Sequence, residues 1–141
     1  MHIRLEFCAK SIRQTERAIL KGGKAFLDAH FTAREHHYCG SKKMKFEHYA
    51  VRLAAKQAFL KLVGSLHPER HRISLTKTSR ARRFPYREVE IFRTGFGNPE
   101  IRYSGRIKRH LAAAGKFRFE VSLAHERRQA VAAVVMINSP G

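Results

Sequence analysis

The sequence predicts an α+β domain, with one strand and a set of helices in the first half and a strand-rich second half. Three observations carry this. Residues 2–9 alternate, with Ile3, Leu5 and Phe7 on one face and Arg4, Glu6 and Cys8 on the other, as in a half-buried strand. Residues 46–64, FEHYAVRLAAKQAFLKLVG, carry the strongest helix signal in the chain. Phe117, Phe119, Val121 and Leu123 alternate again, and residues 131–137 form a near-continuous apolar run that suits a buried strand.

The other elements follow from local signals. Residues 12–21 read as helix, with Arg13, Arg17 and Lys21 at four-residue steps in a basic stripe that Gly22 and Gly23 interrupt. Phe26, Leu27 and Phe31 supply core. Thr32 followed by Glu35 has capping-box spacing, so a short helix should start there and run to about Cys39. Gly40 and Ser41 form a break, and Lys42, Lys43 and Lys45 lead into the central helix. There, Ala54, Ala55 and Ala58 are strong helix formers, Tyr49, Leu53 and Leu60 recur at spacings of four and seven, and Gly64 suits a C-terminal cap. Residues 70–87 hold seven Arg or Lys and no acid, which reads as a solvated loop or an arm that orders on a polyanion. Residues 88–92 and 101–103 read as strands about a turn at Gly95, Gly97 and Pro99. Residues 106–114 make a short basic helix ending at Gly115, His125 and Glu126 begin the connection between the last two strands, and residues 138–141 form a frayed tail.

Composition narrows the function classes. A chain of 141 residues suits a single domain with a real core, and 43% hydrophobic content excludes wholesale disorder. No apolar run is long enough to span a membrane and no secretory leader is recognisable, so a cytoplasmic protein without a membrane partner is expected. Cys8 and Cys39 make no disulfide framework and should be free thiols. The net charge of +18 implies an anionic partner: nucleic acid, a nucleotide cofactor or an acidic protein.

The central helix holds most of the candidate chemistry. Arg52 and Lys56 stand one turn apart, as do Gln57 and Lys61, and no acid lies between Glu47 and Glu69. Three cations and an amide suggest a helix face turned toward phosphate; a solvated face on a core helix is the plain alternative. His36, His37, Cys39 and His48 do not make a transition-metal site. The adjacent histidines project about 100° apart on a helix, and the spacing matches no zinc pattern.

The motifs FTAREHHYC (31–39), HYAVRLAAKQAFLKLVG (48–64), EVEI (88–91), GNP (97–99) and VSLAHERRQAVAAVV (121–135) resemble, in order, those of the holo-acyl-carrier-protein synthases, the small 4'-phosphopantetheinyl transferases. The resemblance covers nearly the whole chain, with a basic insertion at about 68–87 inside a single domain of residues 1–141. It implies the family's α+β fold, an antiparallel sheet packed on a long central helix, assembled as a homotrimer with active sites between subunits. It implies transfer of phosphopantetheine from coenzyme A to a serine of an acyl carrier protein. It also implies magnesium, held by an Asp at the end of the first strand and by the Glu of an AAKEA motif.

At both metal positions this chain departs from the pattern: Cys8 stands where the Asp belongs, and Gln57 where the Glu belongs. Magnesium takes hard, charged oxygen ligands; a thiol is soft and an amide neutral. The magnesium site is therefore expected to be weak or absent, with Glu6, two residues from Cys8 on the same strand face, as a substitute carboxylate. The remaining roles implied by the resemblance fall on Lys43, Lys45, Arg52, Lys61 and His125 for the phosphates of coenzyme A. Lys61, with the positions of Gln57 and Cys8, forms the catalytic set. Arg13, Arg17, Lys21 and Lys24 on the first helix form the docking surface for an acidic carrier protein.

Three functions are then in play. The first is a transferase in which Lys61 and its neighbours supply part of the electrostatic role of the metal. The second is a catalytically impaired pseudoenzyme that binds a carrier protein or a synthase partner. The third, nucleic-acid binding through residues 70–87, ranks last, because the chain has no recognised nucleic-acid motif or base-stacking platform.

Overall fold

A computed structural model describes residues 2–66 and 85–139. The order is β1 (His2–Ser11), α1 (Ile12–His30), α2 (Ala33–Gly40), α3 (Lys45–Gly64), β2 (Val89–Arg93), β3 (Pro99–Tyr103), α4 (Gly105–Ala114), β4 (Phe117–His125) and β5 (Gln129–Asn138). A 3-10 turn, Tyr86–Glu88, precedes β2. The expected elements are present, and most of the basic segment at 70–87 lies outside the described residues. Asn138, expected in a frayed tail, instead ends β5.

Each helix end follows from its sequence. The Ser11 side chain caps α1 by accepting from the Gln14 N–H at 3.1 Å. Gly23, at φ 59°, kinks α1 and lets one helix turn into the next without a Cβ clash. Thr32 and Glu35 form the full capping box at the start of α2. The start of α4 is capped from outside, since the Glu88 carboxylate accepts from the Arg106 N–H at 3.0 Å.

The strands form an antiparallel sheet in the order β1-β5-β4 and a separate β2-β3 hairpin. The three-stranded sheet packs one face on α3. Ala130, Ala132, Val134 and Met136 of β5 are buried there, and Phe119, Val121 and Leu123 of β4 stand beside Met136, Val134 and Ala132. The inward residues of β1 are Arg4, Glu6 and Cys8, which pair with Met136, Val134 and Ala132.

The expected burial of β1 is therefore reversed. Ile3, Leu5 and Phe7 point away from α3 and are 61%, 62% and 58% exposed. They pair with Ile137, Val135 and Ala133. The outer face of the sheet thus carries a continuous apolar patch, because the period-2 pattern buries the face that α3 covers, and α3 covers the Cys8 face.

Candidate active site

The strand β1 and the helix α3 run antiparallel and in step. Cys8 Sγ donates to Gln57 Oε1 at 3.5 Å, and Arg4 Nη1 donates to Ser65 Oγ at 2.7 Å. Four strand residues span about 13 Å and eight helix residues about 12 Å, so both contacts hold without distortion. This brings the two substituted metal positions together. It also sets Glu6 at the level of Lys61, one turn beyond Gln57. Glu6 belongs to none of the ion pairs of the described residues, and nearby Arg4 is turned to Ser65.

Gln57 is held from both ends. Its Oε1 accepts from Cys8, and its Nε2 donates to the Tyr86 hydroxyl at 3.3 Å. Burial raises the Tyr86 phenol above its ordinary value, with the Gln57 hydrogen bond acting the other way, so the hydroxyl stays neutral. The Tyr86 backbone is fixed in turn, because Lys56 Nζ donates to its carbonyl at 2.9 Å. The same ammonium donates to the His30 carbonyl at 2.8 Å and pairs with Glu35. Glu35 also accepts from the N–H groups of Thr32 and Ile91, each at 2.9 Å. One buried ion pair thus ties α1, α2, α3 and β2 together directly behind the site.

His30 lies alongside. Its ring stacks on Phe26 at 4.1 Å between centroids and tilts toward Tyr86 at 5.0 Å, and Nδ1–H donates to the Phe26 carbonyl at 2.8 Å. Burial lowers its pKa, helped by the charges of Lys56 and Lys10 and opposed by the Phe26 hydrogen bond. Lys10 is half-buried on the Cys8 face of β1.

A second cluster forms around the start of α3. Lys43 and Lys45 are exposed, and His125, at the end of β4, sets Nδ1 at 3.6 Å from the Glu47 carboxylate. Ten residues of helix separate Glu47 from Gln57, about 15 Å along the axis. Within one chain, then, Lys61 and the Cys8–Gln57 pair stand apart from Lys43, Lys45 and His125.

The reading of α3 as a phosphate-facing surface needs correction for Arg52 and Lys56, which are 1% and 0% exposed. Lys56 is spent on Glu35 and two carbonyls. The Arg52 guanidinium lies over the Tyr38 ring at 4.3 Å and donates to the His48 carbonyl at 3.3 Å. Of Arg52, Lys56 and Lys61, only Lys61 reaches the surface. Both faces of this helix are covered, by the sheet and by α1 and α2, so its polar spacing does not report exposure.

On α1, Arg13, Arg17, Lys21 and Lys24 are all exposed. The first three form the stripe; Lys24 follows the Gly23 kink and pairs with Asp28. His36 is hydrogen-bonded through its Nδ1 to the Tyr49 hydroxyl at 2.5 Å. Cys39 is buried and its thiol is pushed up to about 12, chiefly by burial, so it is inert.

The donor set does not fit magnesium. Cys8 and Gln57 are neutral and hydrogen-bonded to each other, and among the described residues no three His, Cys, Asp or Glu are grouped to hold a metal ion.

A curated relative from Ruminiclostridium cellulolyticum, a holo-acyl-carrier-protein synthase, is 34% identical over 126 residues, covering 89% of this chain and 84% of the relative. The chain belongs to the holo-acyl-carrier-protein synthase family. A relative of the same name from Geobacter sp. strain M21 is 32% identical over 125 residues, covering 89% of this chain and 90% of the relative. No family model matches the chain. Among solved structures, a Chronobacterium ammoniagenes complex of this synthase with CoA superposes with a TM-score of 0.83 over 99% of this chain and 100% of that one, at 17% identity. The α+β fold expected from the sequence is that of the family.

Sequence reading missed Tyr86, His30, Lys10 and the Glu35–Lys56 pair. Glu35 carried a signal, the capping box, but that signal accounts for only one of its oxygens. Tyr86 and His30 carry no local motif, and only the fold brings Tyr86 to Gln57 and His30 to Tyr86.

Proposed function

We propose that this chain transfers the 4'-phosphopantetheine arm of coenzyme A to a serine of an acyl carrier protein, as a cytoplasmic homotrimer. Family membership at 34% identity across 126 residues carries the reading. In the transfer the serine hydroxyl attacks the phosphorus that bears the arm, and the adenosine bisphosphate half departs. Lys61 lies where charge develops on the diphosphate, while Lys43, Lys45 and His125 hold the remaining phosphates. Arg13, Arg17 and Lys21 dock the acidic carrier.

The trimer answers the separation of the two clusters. A neighbouring protomer can set its Lys43, Lys45 and His125 beside the Cys8–Gln57 pair, which no bend of a single α3 could do. The outer sheet face supplies an interface: Ile3, Leu5 and Phe7 with Val131, Ala133, Val135 and Ile137 make an apolar patch that a lone chain leaves in water. No helix of the described residues is long and apolar enough to cross a membrane.

The hydrogen-bonded, uncharged Cys8–Gln57 pair favours a second reading, a carrier-binding protein that has lost transfer. Intact-mass spectrometry of apo-carrier proteins incubated with the protein and coenzyme A, with magnesium and with chelator, separates the two. A mass gain of one phosphopantetheine arm is the expected result. No gain on any carrier that the protein nonetheless binds would overturn the transferase reading in favour of the second.

A further inference from the structure

We infer that the Cys8–Gln57 site accepts the diphosphate of coenzyme A with no divalent cation, Lys10 and Lys61 supplying positive charge on either side. The inference rests on the proposed function only in taking coenzyme A as the ligand. Its core is a charge balance. In the family pattern two carboxylates face one magnesium ion, and their formal charges cancel. Here both carboxylates are replaced by neutral groups, and the formal sum is again zero without any metal. Replacing one acid alone would leave an imbalance; replacing both removes the need for the ion.

The geometry agrees with this balance. A carboxylate at either position would repel a diphosphate unless a metal stood between them. Gln57 does the reverse. Its Oε1 is occupied by Cys8 Sγ at 3.5 Å, and one N–H is anchored on Tyr86 at 3.3 Å. Its second N–H has no partner among the described residues and is a donor suited to a phosphate oxygen.

The flanking cations complete the site. Lys10 shares the inward face of β1 with Cys8, two residues away, and its charge is felt at His30 beside Tyr86. Lys61 is exposed one turn beyond Gln57. Lys56 takes no part, since Glu35 and two carbonyls use its three donors. Glu6, at the level of Lys61, is the one acid on this stretch of β1, and it offsets only one of these two lysines.

Calorimetric titration of the full chain with coenzyme A, in chelator and in magnesium chloride, tests this directly. The wild-type dissociation constant should agree within about twofold in the two buffers, and Lys10→Gln or Lys61→Gln should each weaken binding by about tenfold in both. Gln57→Glu should weaken binding by about tenfold or more in chelator, and Cys8→Asp with Gln57→Glu should restore it only when magnesium is present. A wild-type affinity that falls about tenfold or more in chelator would overturn the inference, as would no binding in either buffer. Because the wild-type comparison decides by itself, a variant that fails to fold costs nothing. The transferase reading fails separately: coenzyme A bound equally in both buffers without any mass gain on a carrier sinks that reading and leaves this one. A mass gain that chelator abolishes, with binding lost in parallel, does the opposite.

Discussion

Replacing Lys56 with Met should be the most damaging single change behind the site. The Lys56 side chain is fully buried, and its ammonium serves Glu35 and the carbonyls of His30 and Tyr86. Methionine fills the space but leaves the Glu35 carboxylate buried with only the Thr32 and Ile91 N–H groups. Removing one partner of a buried ion pair costs roughly 3–5 kcal/mol, against a total stability of roughly 5–15 kcal/mol for a domain. The cost should depend on pH with a definite sign. Burial already raises the Glu35 pKa above 4.5 while Lys56 holds it down, so the variant raises it further. A raised folded value means that stability is retained below the unfolded value and lost as pH rises through the folded one. The deficit of Lys56→Met relative to wild type should therefore be smaller at about pH 5 than at about pH 8, and Glu35→Gln with Lys56→Met should recover part of it. Urea denaturation at fixed protein concentration measures this, since assembly would couple to unfolding. A deficit below about 1 kcal/mol, the range of exposed pairs, or one independent of pH, would refute the argument that this pair is the buried hub of the fold.

Three further outcomes follow from the structure. Burial lowers the pKa of His30, so its contribution to stability is complete above the ordinary 6.5 and is lost as pH falls below it; His30→Phe, which keeps the stacking on Phe26, should flatten that acid-side slope in denaturation curves, leaving the part due to His48, which burial also lowers. Leu5→Asp places a charge in the outer apolar patch and, if the proposed trimer uses this face, should lower the molar mass seen by light scattering to that of a monomer; a mass unchanged from an assembled wild type would exclude this face as the interface. Charge reversal at Arg13, Arg17 and Lys21 together should weaken carrier-protein binding by about tenfold or more and flatten its salt dependence while sparing coenzyme A affinity, whereas unchanged carrier binding would move the docking surface elsewhere.

Much of the fold was legible because its signals are local. The α2 capping box, the α1 break at the glycine pair, the alternation of β4 and the length of α3 each depend on residues within a few positions of one another. The coincidence of Cys8 and Gln57 was also legible, though only through resemblance. Sidedness was harder to read. The alternation of β1 shows two faces without showing which one meets the helix, and an apolar face that serves an assembly looks the same as one that serves a core. Tyr86 reaches Gln57, and His30 reaches Tyr86, from opposite ends of a long stretch of chain, so no window of sequence contains both.

The cations of α3 show why spacing misleads there. Lys56 reads as a surface residue because no acid lies near it in sequence; its acid is Glu35, on a different helix, and a charge is buried when its partner is brought to it by the fold. Arg52 is buried by other means, with the Tyr38 ring under its guanidinium and a backbone carbonyl at one nitrogen. These two residues use side-chain charge to cross-link elements, so part of the net +18 lies inside the molecule and is not offered to a partner. What remains at the candidate site is smaller and more specific. Lys61 and Lys10 bracket a neutral hydrogen-bonded amide on one side of α3, and Lys43, Lys45 and His125 stand about 15 Å away at its start. A diphosphate ester with a further phosphate on the same ribose carries its charges closer together than that. In the proposed assembly, matching those two groups to two clusters falls to a second protomer, so the exposed face of β1 and the degenerate metal positions belong to one problem rather than two.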